Sequence, residues 1–394
     1  MYARLINIAN RVFAWKPRNA IIPSMTWQHY LRVKSRDPAY LWRMVLAILA
    51  VGVLVGWAVE MWQGGAPEFV AGPHDSSGWE RLDSLASEGN WWLVWWQVPQ
   101  QIFSDFSQLG IIVLAVLAGC CWLAFLLQSM RVQRFTDWRL WGALAAIALG
   151  VLSIWPTGFF ILWQEHGWNL QESQELVPGL RYNILGIGLR EEFAKLLCLL
   201  PLMLVVVPRR DELAALILSG CVGLGFAIEE NIGYFTVSQG TSSLGRFLTA
   251  NPMHITLTGL VGLAVYRAFR DVRNWGPNAL AVFGLAVAAH GLYDATIVLT
   301  DLAQYNLAGT IVFALIVYAF FHELRTLRPK GSDTITLSAT FLCGMSLLAA
   351  ATFVYVSSVA GVAAAANTLM SDVMGLAVMV YLFLREMPET MVRV

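Results

Sequence analysis

The chain has 394 residues, 57% of them hydrophobic and only 13% charged, and its mean hydropathy is positive. That composition excludes an ordinary soluble globular domain and predicts a polytopic membrane protein. The formal net charge is zero, so the global balance offers nothing to nucleic acid, and the information lies in where the charges fall.

The first forty residues carry Arg4, Arg11, Lys16, Arg18, Arg32, Lys34 and Arg36 without a long apolar core. They read as a basic cytoplasmic tail (1–40), not as a cleaved signal peptide. Apolar runs of roughly 20 residues, the length that crosses a bilayer, follow at about 41–62, 108–128, 140–163, 183–207, 212–236, 252–270, 277–299, 306–322, 335–357 and 362–384. The expected fold is therefore an all-α transmembrane bundle of about ten spans. Between the first two spans lies the longest loop, with Trp91, Trp92, Trp95 and Trp96 around Leu93 and Val94. Tryptophan at this density suits the headgroup zone, so a short interfacial helix that anchors the chain is expected, with a substrate-docking platform as the sharper alternative. Cys120, Cys121, Cys198, Cys221 and Cys343 are odd in number and fall inside apolar spans, which suits neither a disulfide framework nor a paired-cysteine metal site.

Charge sets the orientation. With the N-terminal tail inside, the cytoplasmic segments hold Arg131, Arg134 and Arg139, then Arg209 and Arg210, Arg267, Arg270 and Arg273, Arg325, Arg328 and Lys330, and finally Arg385 and Arg393. The outer loops hold only Arg81, Arg181 and Arg246. Shifting the parity by one helix would reverse the bias in every loop, so both termini are expected in the cytoplasm. The chain divides into helices one to three with the Trp-rich loop (41–180), a polar-bearing core (181–325), and two further helices with a short tail (326–394).

Four consecutive spans of that core carry ionisable groups where hydrocarbon disfavours them by at least ~2.5 kcal/mol each. Glu191, Glu192 and Lys195 lie on the fourth, Glu229, Glu230 and Asn231 on the fifth, His254 on the sixth, and His290 with Asp294 on the seventh. The antiparallel topology brings all of them to a similar depth near the non-cytoplasmic surface. Lys195 follows Glu191 by four residues and Glu192 by three, so its ammonium can hold one glutamate ionised while the other takes a proton from water; a plain ion pair is the alternative. Glu229 and Glu230 point about 100° apart, so one of them faces the site, or both are simply interfacial. Small residues, Gly223 and Gly225, precede them and permit close helix approach. His254 follows Asn251-Pro252 near a helix start, where an interface role competes with a functional one. Asp294, one turn after His290, can fix the imidazole tautomer, or both can bind a metal. His322-Glu323 opens like a zinc-protease motif but lacks the second histidine and reads as a solvated helix terminus.

These residues fall into ordered blocks: Glu191-Glu192-Phe193-Ala194-Lys195 as EExxK, Gly225 to Asn231 as GFAxxEN, Pro252-x-His254, and His290-Gly291-Leu292-Tyr293-Asp294 as HGxxD. The set resembles the PrsW-type intramembrane proteases, which are related to the CAAX-prenyl-protease and bacteriocin-immunity group, over roughly residues 180–325. The resemblance implies an endopeptidase of the bacterial cytoplasmic (inner) membrane. It further implies a membrane-anchored protein substrate, such as an anti-sigma factor. Glu191, Glu192, Glu230, His254 and His290 are the catalytic residues it implies, with Lys195, Asn231 and Asp294 in support.

The expected reaction is hydrolysis of a peptide bond near the outer surface, with Glu191 or Glu192 as general base and His254 or His290 donating to the developing oxyanion. A divalent metal such as zinc, with Glu230, His254 and His290 as candidate ligands, stays open beside a metal-free glutamate mechanism. A proton- or ion-coupled transporter is the rival of another class, and an inactive protease-like scaffold is a third. The inner halves of the four core spans, Leu196 to Val207, Leu213 to Leu218, Leu260 to Val265 and Leu280 to Ala288, are apolar, which favours a site open to one side over a conduction path.

Overall fold

A computed structural model describes residues 27–67, 77–106, 108–132, 134–328 and 335–371. The first part of the basic tail, Lys330, and the last span beyond residue 371 with Arg385 and Arg393 lie outside the described residues. Within them every regular element is helical. A short α1 (Trp27–Lys34) precedes α2 (Pro38–Gln63), α3 (Ser77–Ser87), α4 (Trp91–Ile102) and α5 (Leu109–Ser129). Helices α6 (Trp138–Leu152) and α7 (Ile154–Trp168) follow, then α8 (Leu176–Arg181), a π-helical stretch (Tyr182–Gly188) and α9 (Leu189–Val206). The remainder is α10 (Glu212–Ser238), a short α11 (Ser243–Leu248), α12 (Ala250–Arg270), α13 (Val272–Val298), α14 (Asn306–Leu327), α15 (Leu337–Ala360) and α16 (Val362–Ser371).

Eight helical segments among the described residues are long and apolar enough to cross a membrane: α2, α5, α6 with α7, α10, α11 with α12, α13, α14 and α15. The chain is an integral membrane protein. The expected fourth span is present as the helical run α8–α9, but Arg190, Glu191, Glu192 and Lys195 keep it from qualifying by composition. The expected third span is longer than its apolar core, because α6 and α7 join through Ser153, whose hydroxyl donates to the Gly150 carbonyl at 2.6 Å.

Helix α10 forms the axis of the bundle, with 89% of its apolar window buried inside the protein against 33% for α13. Small residues make that possible. A Cβ on Gly223 would fall on the carbonyl of His254 in α12, and one on Gly225 would fall on the carbonyl of Ile147 in α6; only glycine lets both neighbours approach so closely. A large cluster of buried side chains, including Trp122, Phe125, Phe235, Phe247, Tyr266 and Phe320, fills the space between α5, α10, α12, α14 and α15.

The two ends of the bundle differ. At the end where α6 and α10 begin, Asp137 caps α6 through the Arg139 N–H at 3.0 Å and Asp211 caps α10 through the Ala214 N–H at 2.9 Å. Arg139 donates to Asp211 at 2.5 Å, and Arg267 bridges Glu212 and Glu323 at 3.0 and 3.2 Å. Glu323 is thus part of a charged helix terminus, as the incomplete zinc motif implied. The Trp-rich segment forms α4, which packs with α3 on α7 through Leu82, Ala86, Val94, Val98 and Leu162. Trp155 donates its indole N–H to the Trp95 carbonyl at 2.7 Å, while Trp92 and Trp96 face outward.

Candidate active site

Three backbone features bring the polar blocks together at the other end of the bundle. The π-helical stretch leads into α9 and lies against α13, where a Cβ on Gly291 would fall on the backbone of Asn183 and Ile184. That contact seats the start of α9, with Glu191 and Glu192, beside His290. The close approach at Gly223 seats His254 against α10 one to two turns before Glu230. The turn after α10 then folds α11 back, so that Arg246 reaches Glu230 and Asn231.

The side chains form one connected network. The Glu192 carboxylate is 2% exposed, and its Oε1 accepts from Lys195 Nζ at 2.8 Å and from His290 Nδ1 at 2.8 Å. Lys195 is fully buried, with its ammonium 4.0 Å from the Phe226 ring centroid. It also lies 2.8 Å from His254 Nδ1 and 3.5 Å from Glu191 Oε2. An ammonium can only donate, so His254 accepts at Nδ1 and carries its proton on Nε2, which donates to Glu230 Oε2 at 2.9 Å. Arg246 closes the chain by donating to that Glu230 oxygen and to Asn231 Oδ1, each at 2.5 Å, over the face of Tyr234 at 3.6 Å. Asn231 in turn donates to Asn251 Oδ1 at 2.7 Å.

The same reasoning fixes His290. Its Nδ1 faces the Glu192 carboxylate and is the donor there, so Nε2 is the nitrogen turned toward Glu191 at 3.6 Å and Asp294 at 3.5 Å. Asp294, expected to orient the ring, lies at the longer distance from it, and the shorter bond is the one that His290 Nδ1 donates to Glu192 on α9. The rings of His254 and His290 meet edge to face with centroids 5.3 Å apart.

A cavity of about 400 Å³ opens onto this network and is lined by Arg190, Glu191, Glu230, Tyr234, Arg246, Thr249, His254, His290, Tyr293 and Asp294, among others. Glu191 lines the cavity, whereas Glu192 and Lys195 lie behind it. Glu230 lines it and Glu229 does not, which is the 100° separation seen on a real helix. Glu191, His254 and His290 each bring one donor atom within 4.8 Å of the other two, all three buried. One carboxylate and two imidazoles suit a divalent ion with an open position, and a carboxylate behind His290 is the support that metal-binding histidines have. Glu191, His254 and His290 would hold a metal once His254 releases Lys195 or Glu230; Glu230, the carboxylate expected beside the two histidines, accepts from Arg246 and His254.

Arg190 and Arg246 are the charged lining residues that sequence reasoning did not assign to the site. Arg246 did carry a signal, as one of only three basic residues in the outer loops, where positive charge is disfavoured. Arg190 immediately precedes the two glutamates, and nothing in its spacing sets it apart from an interfacial charge. A comparison with protein-family models matches residues 138–321 to the PrsW family intramembrane metalloproteases. No curated protein and no solved structure matches the chain.

Proposed function

From the match of residues 138–321 to the PrsW family intramembrane metalloproteases we propose that the chain hydrolyses a peptide bond of a membrane-anchored protein near the non-cytoplasmic face. The observation that carries this reading is the convergence of Glu191, Glu230, His254, His290 and Asp294, from four helices, on one cavity. A peptidase accounts for a buried polar centre at one end of otherwise apolar helices, which a carrier does not.

Glu191 is the general base. Its carboxylate faces the cavity and takes a proton from water as the water oxygen attacks the scissile carbonyl carbon. Glu192 is the anchor, engaged by both Lys195 and His290 and shielded from water. His290 is held by Glu192 at Nδ1 and presents Nε2 to the cavity. Carrying a proton there, it donates to the developing oxyanion, with Asp294 balancing the ring's charge. The proton on Glu191 then passes to the leaving amine. His254, tied at both nitrogens, forms the wall opposite and links Lys195 to Glu230. A divalent ion, if bound, would be held by Glu191, His254 and His290 in place of the roles just given to them, with His254 releasing Lys195 or Glu230, and would supply Lewis-acid polarisation of a carbonyl or a water. A carbonyl within an intact helix is already hydrogen-bonded, so the substrate presents an unwound or juxtamembrane segment. The family resemblance supports a membrane-held regulatory protein, of the anti-sigma-factor kind, as that substrate.

The test is reconstitution of the protein in liposomes with a labelled single-pass substrate. Wild type cleaves it and Glu191→Gln does not; undiminished cleavage by Glu191→Gln removes that residue from the reaction. Metal content and chelator treatment of the same preparation separate the two versions of the chemistry. Inhibition reversed by zinc assigns the ion, and full activity with metal content near zero assigns the glutamate acting alone.

A further inference from the structure

Among the described residues, Arg190 is a cavity-lining cation that the network leaves unused. Only 9% of the residue is exposed, and its Nε has no hydrogen-bond partner among the described residues. Its guanidinium carbon stands 5.6 Å from the ring centroid of Tyr182 in the π-helical stretch. The other arginine of the cavity, Arg246, is held by Glu230 and Asn231. The carboxylates nearest in sequence to Arg190 are likewise committed, Glu191 toward Lys195 and His290, Glu192 to both of them. Glu165 of α7 is within electrostatic range of Arg190, but no ion pair joins the two and Glu165 does not line the cavity.

The Nε of Arg190 is buried without a hydrogen-bond partner among the described residues, which disfavours the guanidinium until a partner enters the cavity. We infer that Arg190 is a specificity residue that receives an acidic side chain of the peptide substrate, placed within a few residues of the bond that Glu191 attacks. The proximity follows from the chain: Arg190 and Glu191 are consecutive on one helix and line the same cavity. The choice of a peptide acid over a lipid phosphate follows from charge. Three carboxylates, on Glu191, Glu230 and Asp294, share that wall, and they repel a free anion, so the acid must be carried in on a segment held by other contacts. Arginine suits the task because its planar fork pairs with a carboxylate in two parallel bonds and rests on an aromatic face.

This inference rests on the protease reading, and its test separates the two. A library of single-pass peptides with randomised juxtamembrane residues is cleaved in liposomes by wild type, Arg190→Ala, Arg190→Lys and Arg190→Glu, and the products are read by mass spectrometry. Wild type is expected to favour Asp or Glu over Asn or Gln at one position near the cut by about 10-fold or more, the range of a charge-assisted hydrogen bond. Arg190→Ala flattens that ratio, Arg190→Lys keeps part of it, and Arg190→Glu turns the preference toward Lys or Arg. Because each ratio compares two substrates in one preparation, a reduced folded fraction does not change it. Equal acid preference in wild type and Arg190→Ala overturns the inference, and so does an Arg190 effect that follows the anionic lipid content of the vesicles instead of the peptide. Binding of acidic and amide peptides to Glu191→Gln is measured in parallel. Acid-selective binding that needs Arg190, with no cleavage by wild type, keeps the inference and sinks the protease reading; cleavage without acid-selective binding does the reverse.

Discussion

Glu191 and Glu192 are chemically identical and adjacent, yet they do different things because a helix turns about 100° per residue. One carboxylate faces the cavity and the other accepts from Lys195 and His290 behind it. Glu191→Gln is therefore expected to lower turnover by about 10²- to 10⁴-fold, the usual range for a lost general base, while the thermal unfolding temperature in detergent stays near wild type. Lys195→Met has the opposite profile. It strands the buried carboxylate of Glu192, and losing one partner of a buried pair costs about 3–5 kcal/mol. Its unfolding temperature should fall together with its activity, and a Lys195→Met protein as stable as wild type would show that the ammonium is not what holds this centre. The two glutamates, Lys195, His254, His290 and Asp294 were legible in the sequence because polar residues in an apolar span announce themselves. Which glutamate faces the cavity was not, since a register of one residue depends on how α9 is rotated against α13.

Close approach is what the helices contribute. Gly223 lets the backbone of α12 pass His254 against α10, and Gly291 lets α13 carry His290 to the π-helical stretch before α9. Gly223→Val should separate α10 from α12 by the width of a side chain, break the His254–Glu230 bond of 2.9 Å, and remove cleavage while the helical circular dichroism persists. Retained cleavage would mean that the spacing of these two helices does not set the site. The sequence marked Gly223 and Gly225 as packing residues, but it held no signal for the π-helical stretch, which is a backbone adjustment made against a neighbouring helix. The Trp-rich α4 was legible from its tryptophans; its seat on α7 through Trp95 and Trp155, with ring centroids 5.0 Å apart, was not.

Across the whole molecule, side-chain caps mark one end and the polar centre marks the other. Asp37, Asp137, Asp211, Asp271 and Thr336 cap α2, α6, α10, α13 and α15, which are alternate spans beginning at the same end, whereas α5, α12 and α14 begin without a side-chain cap. The charge bias of the loops leads us to propose that the capped end is the cytoplasmic one. A membrane-impermeant maleimide should therefore label Glu88→Cys in intact cells and leave Arg210→Cys unlabelled until the membrane is opened. The reverse pattern would turn the catalytic end toward the cytoplasm.

Hydropathy and charge are properties of short stretches, so the sequence alone determined that the chain is a helical membrane protein and that four ordered polar blocks occur in it. The tertiary structure alone decided how those blocks meet. The bond between His290 and Glu192 joins residues 98 positions apart, and that between Lys195 and His254 joins residues 59 apart. Such contacts depend on helix rotation and on the close approach that glycine permits, which no local pattern encodes, and they are what turn Glu191 toward the cavity and place Glu192 behind it.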